Sequence, residues 1–222
     1  MKKVLVVAAH ADDEALGCGG TIARHVAEGD EVHLVLMADG VSSRPGRSEL
    51  ELNRRIDASG VAQAELGIAT VERADFPDNK MDGVPLLAVV QRLETVLEKI
   101  KPSVIYTHHH GDLNIDHRLT HAAVMTACRP LPETSVREIL GFEALSSTEW
   151  VASRELSFAP NYFVDISRFL AIKLRALGAY SDEMRQAPHS RSFEHIEVLA
   201  RHRGYSIGVG AAEAFEIYRM VR

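Results

Sequence analysis

Short apolar runs bounded by polar turns recur along the chain. Residues 4–9 (VLVVAA), 31–37 (EVHLVLM) and 104–107 (VIYT) are almost uninterrupted apolar stretches rich in β-branched side chains. Runs of that length with no alternating polar face predict strands covered on both sides. Between them the apolar positions fall at helical spacing. Helices are predicted over 21–28, closed by Gly29, over 50–66, stopping at Gly67, over 86–100, stopped by Pro102, and over 118–127. A polar, glycine-rich turn is expected between the first strand and the first helix. A short strand is expected near 70–74, and 76–85, with its Pro, Asp, Asn and Gly, reads as a loop. Beyond it, strands are predicted over 138–145 and 162–166 and helices over 168–180 and 191–203, with a last short helix over 211–218. Strands alternating with helices predict an α/β fold built on a mostly parallel sheet. One domain spanning 1–222 is expected, with a core of about 1–145 and a C-terminal extension of about 146–222.

Composition narrows the function classes. The 222 residues are 46% hydrophobic and 25% charged, a globular profile, and the formal net charge of −6 comes with no basic run. Nucleic acid and anionic membranes are therefore not expected partners. The N-terminal MKKVLVVAAH has an apolar run too short for a signal peptide or a membrane span, so no membrane anchor is expected. Cys18 and Cys128 form no CxxC pair and no zinc-finger spacing, which fits reduced thiols and a cytoplasmic setting.

Chemistry concentrates at two strand ends. His10-Ala11-Asp12-Asp13-Glu14 follows the first strand, where open α/β sheets bind ligands. Crowded carboxylates repel one another, and a divalent cation resolves that conflict. His10 and Asp13 can converge on one ion, with Asp12 pointing past it. The same residues also suit an acidic helix N-terminus. A dinucleotide site fits poorly, because Gly17-Cys18-Gly19-Gly20-Thr21-Ile22 fails G-x-G-x-x-G and three carboxylates would repel a pyrophosphate. The second cluster, His108 to His117, holds four histidines, two aspartates and an asparagine at the end of the VIYT strand. His117 completes a set of two imidazoles and one carboxylate, which leaves a position open for water. Asp116 is placed to orient a neighbouring histidine.

The two clusters resemble the signature of the LmbE-like, or PIG-L, deacetylase family. That family includes N-acetylglucosaminyl-phosphatidylinositol de-N-acetylases and bacterial sugar deacetylases of thiol and antibiotic pathways. Its A-H-P-D-D-E motif is matched by Ala9-His10-Ala11-Asp12-Asp13-Glu14, with Ala11 in place of Pro. Its longer H-x-D-x-N-x-D-H motif is matched by His110 to His117. The resemblance implies a Rossmann-like sheet flanked by helices. It implies Zn2+, or another divalent metal such as Fe2+, on His10, Asp13 and His117, with Asp12 as general base. It further implies an N-acetylated sugar as substrate, cleaved to a free amine and acetate, and a homo-oligomeric state common among members. Asn114 stands where the short H-x-x-H motif has its first histidine. An amide can donate to an oxyanion but cannot transfer a proton, so His110 and His189 are the candidates for that role.

Weaker candidates surround these. Arg44, Arg47 and Arg54 flank a polar loop and could bind a phosphate, or simply be solvated. Asp78, Asn79 and Asp82 could bond sugar hydroxyls, or simply form a turn. His189 and Arg191 lie in a Pro-containing segment that could close over the pocket, or cap a helix through Ser190. Cleavage of another acyl amide or an ester, or metal binding without turnover, stays open at this point.

Overall fold

The computed structural model describes residues 1–40, 43 and 49–222. Arg44 and Arg47 lie outside the described residues. Seven strands form one sheet: β1 (Lys3–Ala8), β2 (Glu31–Ala38), β3 (Thr70–Phe76), β4 (Val104–His108), β5 (Glu138–Phe142), β6 (Tyr162–Asp165) and β7 (Ala212–Met220), in the order β3-β2-β1-β4-β5-β7-β6. The first five run parallel, and β7 lies antiparallel to both β5 and β6. The expected α/β sheet is therefore present, with an antiparallel edge supplied by the C-terminal part of the chain.

β1 lies in the middle, between β2 and β4, and Val4 to Ala8 are wholly buried. The two-residue period of a strand divides its side chains between two cores. Val4, Val6 and Ala8 pack with Val32, Leu34 and Leu36 under the layer of α1 (Asp13–Ala27), α2 (Glu49–Leu66), α5 (Leu170–Ala179) and α6 (Phe193–Tyr205). Leu5 and Val7 pack with Val35, Met37 and Ile105 under α3 (Leu86–Ile100) and α4 (Ile115–Ala127). The uninterrupted apolar runs reflect this double covering.

Three expectations need correction. The glycine-rich segment after β1 is not a turn but the first half of α1, bent where Cys18 leaves helical geometry (φ −146°, ψ 22°). Its glycines serve contact. A Cβ on Gly17 would meet the Phe142 ring at 2.2 Å, and one on Gly20 would meet Ile166 at 2.7 Å. Second, residues 211–218 do not form a helix. Residues 212–218 belong to β7, where Glu213 and Phe215 pair with β6 and Phe215 to Ile217 pair with β5. Third, the helix expected from Arg191 begins at Phe193, and its cap is Ser192 rather than Ser190. The Ser192 hydroxyl oxygen accepts the His195 N–H at 3.1 Å.

β7 also repairs the bend in α1. The Glu213 carboxylate accepts the N–H groups of Gly20 (3.0 Å) and Thr21 (2.7 Å), which the bend deprives of helical partners. Lys173 of α5 donates to Glu213 at 2.6 Å and to the Leu16 carbonyl at 2.7 Å. Both charged side chains are almost fully buried.

Chain order places the site. From β1 the chain steps outward to β2 and β3, then returns to the other side of β1 with β4. The crevice at the carboxyl ends of β1 and β4 is thus the switch point of the sheet, where such folds bind ligands.

Candidate active site

β1 delivers His10 and β4 delivers His108 to that crevice, while α1 and α4 begin there. Asp12 lies just before α1 with φ 117°, a strained setting for a residue with a Cβ. This turn brings Asp13 back, so that its Oδ2 accepts the His10 backbone N–H at 2.9 Å. Three imidazole nitrogens surround the same oxygen: His117 Nε2 at 3.3 Å, His10 Nδ1 at 3.4 Å and His108 Nε2 at 3.5 Å. Asp13 Oδ1 is buried with no hydrogen-bond partner.

The far side of each ring meets another carboxylate. His10 Nε2 lies 3.0 Å from Asp116 Oδ2 and 3.1 Å from Asp78 Oδ1. Asp116 is fixed by the N–H groups of Asn79 (2.6 Å) and Met81 (3.1 Å). His117 Nδ1 lies 3.1 Å from Asp112 Oδ1, off the line of a well-aligned hydrogen bond. Asp112 in turn accepts the hydroxyls of Ser147 and Thr148. Burial alone would raise the Asp112 carboxyl, but His117 and Ser147 bring it down to about 2. Burial likewise works against charge on His117, yet Asp13 and Asp112 lift it to about 9. Carboxylates that favour a proton on these rings equally favour a cation.

His10 Nδ1, Asp13 and His117 Nε2 therefore converge, and each ring carries a carboxylate behind it, the arrangement that orients metal-binding histidines. The unpartnered Asp13 Oδ1 and the mixed nitrogen and oxygen donors fit zinc or a similar divalent ion. His108 differs. Its Nε2 accepts the Ala9 N–H at 2.9 Å, which occupies the lone pair, and burial holds its pKa well below the usual value.

Asp12 stands apart from these rings. Its Oδ2 accepts Nη1 of Arg191 at 2.8 Å, and Arg55 Nη2 lies 4.0 Å from Oδ1. Burial raises its pKa and Asp13 adds to that; Arg191 and Arg55 work in the opposite direction, and the net shift is upward. Arg191 is fixed by bonds from Nε to Ser146 Oγ (2.5 Å) and the Leu145 carbonyl (3.2 Å). Arg55 donates to the Ala11 carbonyl at 2.9 Å and pairs with Glu183.

Of the residues singled out in the sequence, His10, Asp12, Asp78, Asn79, Asn114, His117 and Arg191 line one open cleft, joined by Arg55, Glu183, Ser146 and Ser147. Asp13 and Asp116 lie buried against His10, behind it. Asn114 is the cap of α4: its Oδ1 accepts the Asp116 N–H at 2.8 Å and its Nδ2 donates to Asn79 Oδ1 at 2.9 Å. Four further candidates among the described residues are not brought into the cleft lining. Arg54 lines a separate surface pocket beside Ala179 and Tyr180. His110 turns instead to Tyr218 and Glu216, because β4 ends at His108 and the next residues cross towards β7. His189 accepts the Arg191 N–H and sits beside Trp150. Asp82 is exposed on a 3-10 turn. The sequence does not single out Arg55 and Asp112. Arg55 sits in a charged helical stretch that looks like a solvated face, and Asp112 lies inside the second motif, overshadowed by its histidines.

The model of the PIG-L family, described as GlcNAc-PI de-N-acetylase, matches residues 5–128, more than half of the chain. The chain belongs to the PIG-L family. An uncharacterized deacetylase, YaiS, of Escherichia coli K12 is 31% identical over 79% of this chain and 89% of its own length. The diacetylchitobiose deacetylase of Thermococcus kodakarensis is 27% identical over 96% and 82%. Among solved structures, the N,N'-diacetylchitobiose deacetylase of Pyrococcus horikoshii superposes with a TM-score of 0.78 at 24% identity, over 98% of this chain and 84% of that one. GalB, a 4-carboxy-2-hydroxymuconate hydratase of Pseudomonas putida, superposes with a TM-score of 0.75 at 22% identity, over 100% and 99%. At such identities the superpositions show the PIG-L fold alone, and a hydratase within it means that activity has to be argued from the site.

Proposed function

We propose that this PIG-L protein is a metal-dependent N-deacetylase, hydrolysing the acetamide of an N-acetylated sugar or sugar conjugate to a free amine and acetate. The observation that carries this is the pairing, in one cleft, of a His10–Asp13–His117 donor set with a separate buried carboxylate, Asp12, held by two arginines. Zinc, or another divalent ion such as Fe2+, on that donor set would supply Lewis acidity to the amide carbonyl and to the attacking water. Asp12 accepts the proton of that water. Its raised pKa then suits it to return the proton to the leaving nitrogen. The imidazoles at the cleft, His10 and His117, are committed to Asp13 on one side and to carboxylates on the other. That assignment replaces His110 and His189 in the proton transfer. Asn114 Nδ2 keeps one hydrogen beyond its bond to Asn79 and can donate to the developing oxyanion.

The polar lining of the cleft suits a hexosamine, with Asn79 and Ser146 available to sugar hydroxyls. Diacetylchitobiose and 2-acetamido-2-deoxy-glucosides of inositol are named as substrates of relatives. None of the described helices is long and apolar enough to cross a membrane.

The test is acetate release from a panel of N-acetylated sugars and glycosides by the protein as purified, after chelation, and after zinc is restored. Release that disappears with chelator and returns with zinc is expected. Asp12→Asn should lower turnover by about 10²–10⁴-fold while metal at His10, Asp13 and His117 is retained. Near-normal turnover in that variant would refute the role of Asp12.

A further inference from the structure

His109 and His110 take no part in the cleft, yet they meet a carboxylate and a phenol from β7. His109 Nε2 lies 2.8 Å from the Leu156 carbonyl oxygen. Only an N–H can face a carbonyl at that distance, so Nε2 carries the hydrogen and the neutral ring presents a lone pair at Nδ1. That lone pair points at Glu216 Oε2, 3.0 Å away, and at Tyr218 Oη, 3.2 Å away. The single Tyr218 hydroxyl hydrogen is directed to Glu216 Oε2 at 3.0 Å. Two acceptors, His109 Nδ1 and Glu216 Oε2, thus face each other at close range in a buried place, which calls for positive charge between them.

His110 completes the set. Its Nδ1 lies 3.7 Å from the same Glu216 oxygen, and the ligand atoms of all three residues fall within 4.8 Å of one another. Donors at zinc-ligand distances of roughly 2.1 Å sit about 3.4 Å apart around a tetrahedral ion, and the observed separations bracket that value. The outer supports are also in place. Leu156 fixes the tautomer of His109, and the Ala159 N–H holds Glu216 Oε1 at 2.5 Å. Gly111 permits the approach, since a Cβ there would stand 2.2 Å from the Leu156 carbonyl oxygen. The His110 side chain is 41% exposed, which opens a path for an ion, and Tyr218 Oη, 3.0 Å from Glu216 Oε2, 3.2 Å from His109 Nδ1 and 3.4 Å from His110 Nδ1, stands beside all three donors.

We propose that His109, His110 and Glu216 form a second divalent-metal site, of zinc type, separate from the catalytic cleft. The alternation along the end of β4 keeps the two sites apart, with His108 beside Asp13 and His109 turned to β7. The second ion ties β7 and residues 156–159 to the end of β4, and its role is structural. The rival arrangement is a protonated His109 paired with Glu216, with no ion.

Zinc titration of the chelator-stripped protein, read by bound metal per chain, decides between them. Wild type is expected to bind two zinc ions, and Glu216→Gln and His110→Ala one each, with acetate release in the His110→Ala variant within about threefold of wild type. Because Glu216 is buried and its variant could fail to fold, a second readout uses Asp13→Asn, which removes the cleft site. Zinc should raise the melting temperature of Asp13→Asn by several degrees, and the added His110→Ala change should abolish that rise. A wild-type zinc content that His110→Ala leaves unchanged, or a zinc-induced rise in Asp13→Asn that His110→Ala does not remove, overturns the proposal. The zinc lost on His110→Ala and the melting response of Asp13→Asn do not depend on whether the cleft deacetylates sugars, so failure of one reading does not mimic failure of the other.

Discussion

Asp12 owes its working state to a residue 179 positions further along the chain. Burial and Asp13 both push its proton affinity up, and Arg191 is the first force against them. Replacing Arg191 by Met should therefore leave more of Asp12 protonated at neutral pH and lower turnover by roughly 10–100-fold, with the metal content unchanged. Arg191→Lys should recover part of that loss, since it restores the charge but not the Nε bonds to Ser146 and Leu145. Steady-state rates with parallel metal analysis check both. His33 offers a test on stability. Its Nε2 is buried without a hydrogen-bond partner, and burial lowers its pKa below 6.5. The unfolded chain then takes up the proton first, so this contribution is full above about pH 6.5 and is lost as pH falls below it. His33→Leu should lose less melting temperature than wild type between neutral and mildly acid pH. An equal loss would show that His33 does not titrate on unfolding. The sequence exposed His10, Asp13 and His117 because they lie in two short motifs. Arg55 and Asp112 act through pairings set by tertiary packing, which spacing along the chain does not encode; Arg191 is legible as a pocket residue, but its tie to Asp12 is not.

At the scale of elements, β1, β2, α3 and β4 lie within a residue or so of where periodicity puts them, because each has one dominant pattern. The errors fell where local preference and tertiary contact disagree. Gly17 and Gly20 look like part of a turn, but Phe142 of β5 and Ile166 after β6 approach α1 so closely that larger side chains would clash. Ala212 to Met220 is rich in helix formers, but its two edges are taken by β5 and β6. The bend in α1 depends on the buried Lys173–Glu213 pair. Lys173→Met should leave the Glu213 carboxylate uncompensated at a cost of about 3–5 kcal/mol, which corresponds to a fall in melting temperature of roughly 6–20 °C for a chain of this size. Adding Glu213→Gln should recover part of that loss, because the buried charge is then gone. Thermal denaturation of the single and double variants measures the coupling. Strict additivity would mean that the pair is not what holds the bend.

At the scale of the whole molecule, the sheet order carries two distant motifs to one crevice. Packing then buries six carboxylates there, Asp12, Asp13, Glu14, Asp78, Asp112 and Asp116. Arg55 and Arg191 supply two permanent positive charges beside Asp12, and His10 and His117 supply positive charge only when protonated. A fold that concentrates this much negative charge at its centre is stabilised by a divalent ion in proportion to how tightly the ion binds. Zinc at a hundredfold excess over its dissociation constant adds about 2.7 kcal/mol, or roughly 5–10 °C in melting temperature. In the His110→Ala variant, which isolates the cleft, chelation should lower the melting temperature by that amount and zinc should restore it. Adding Asp13→Asn should remove the response, because Asp13 is the one carboxylate among the described residues that faces both His10 Nδ1 and His117 Nε2. If the Asp13→Asn protein still responded to zinc in the His110→Ala background, the ion would have to sit elsewhere among these carboxylates. His10, Asp78 and Asp116 would then be the set to test next.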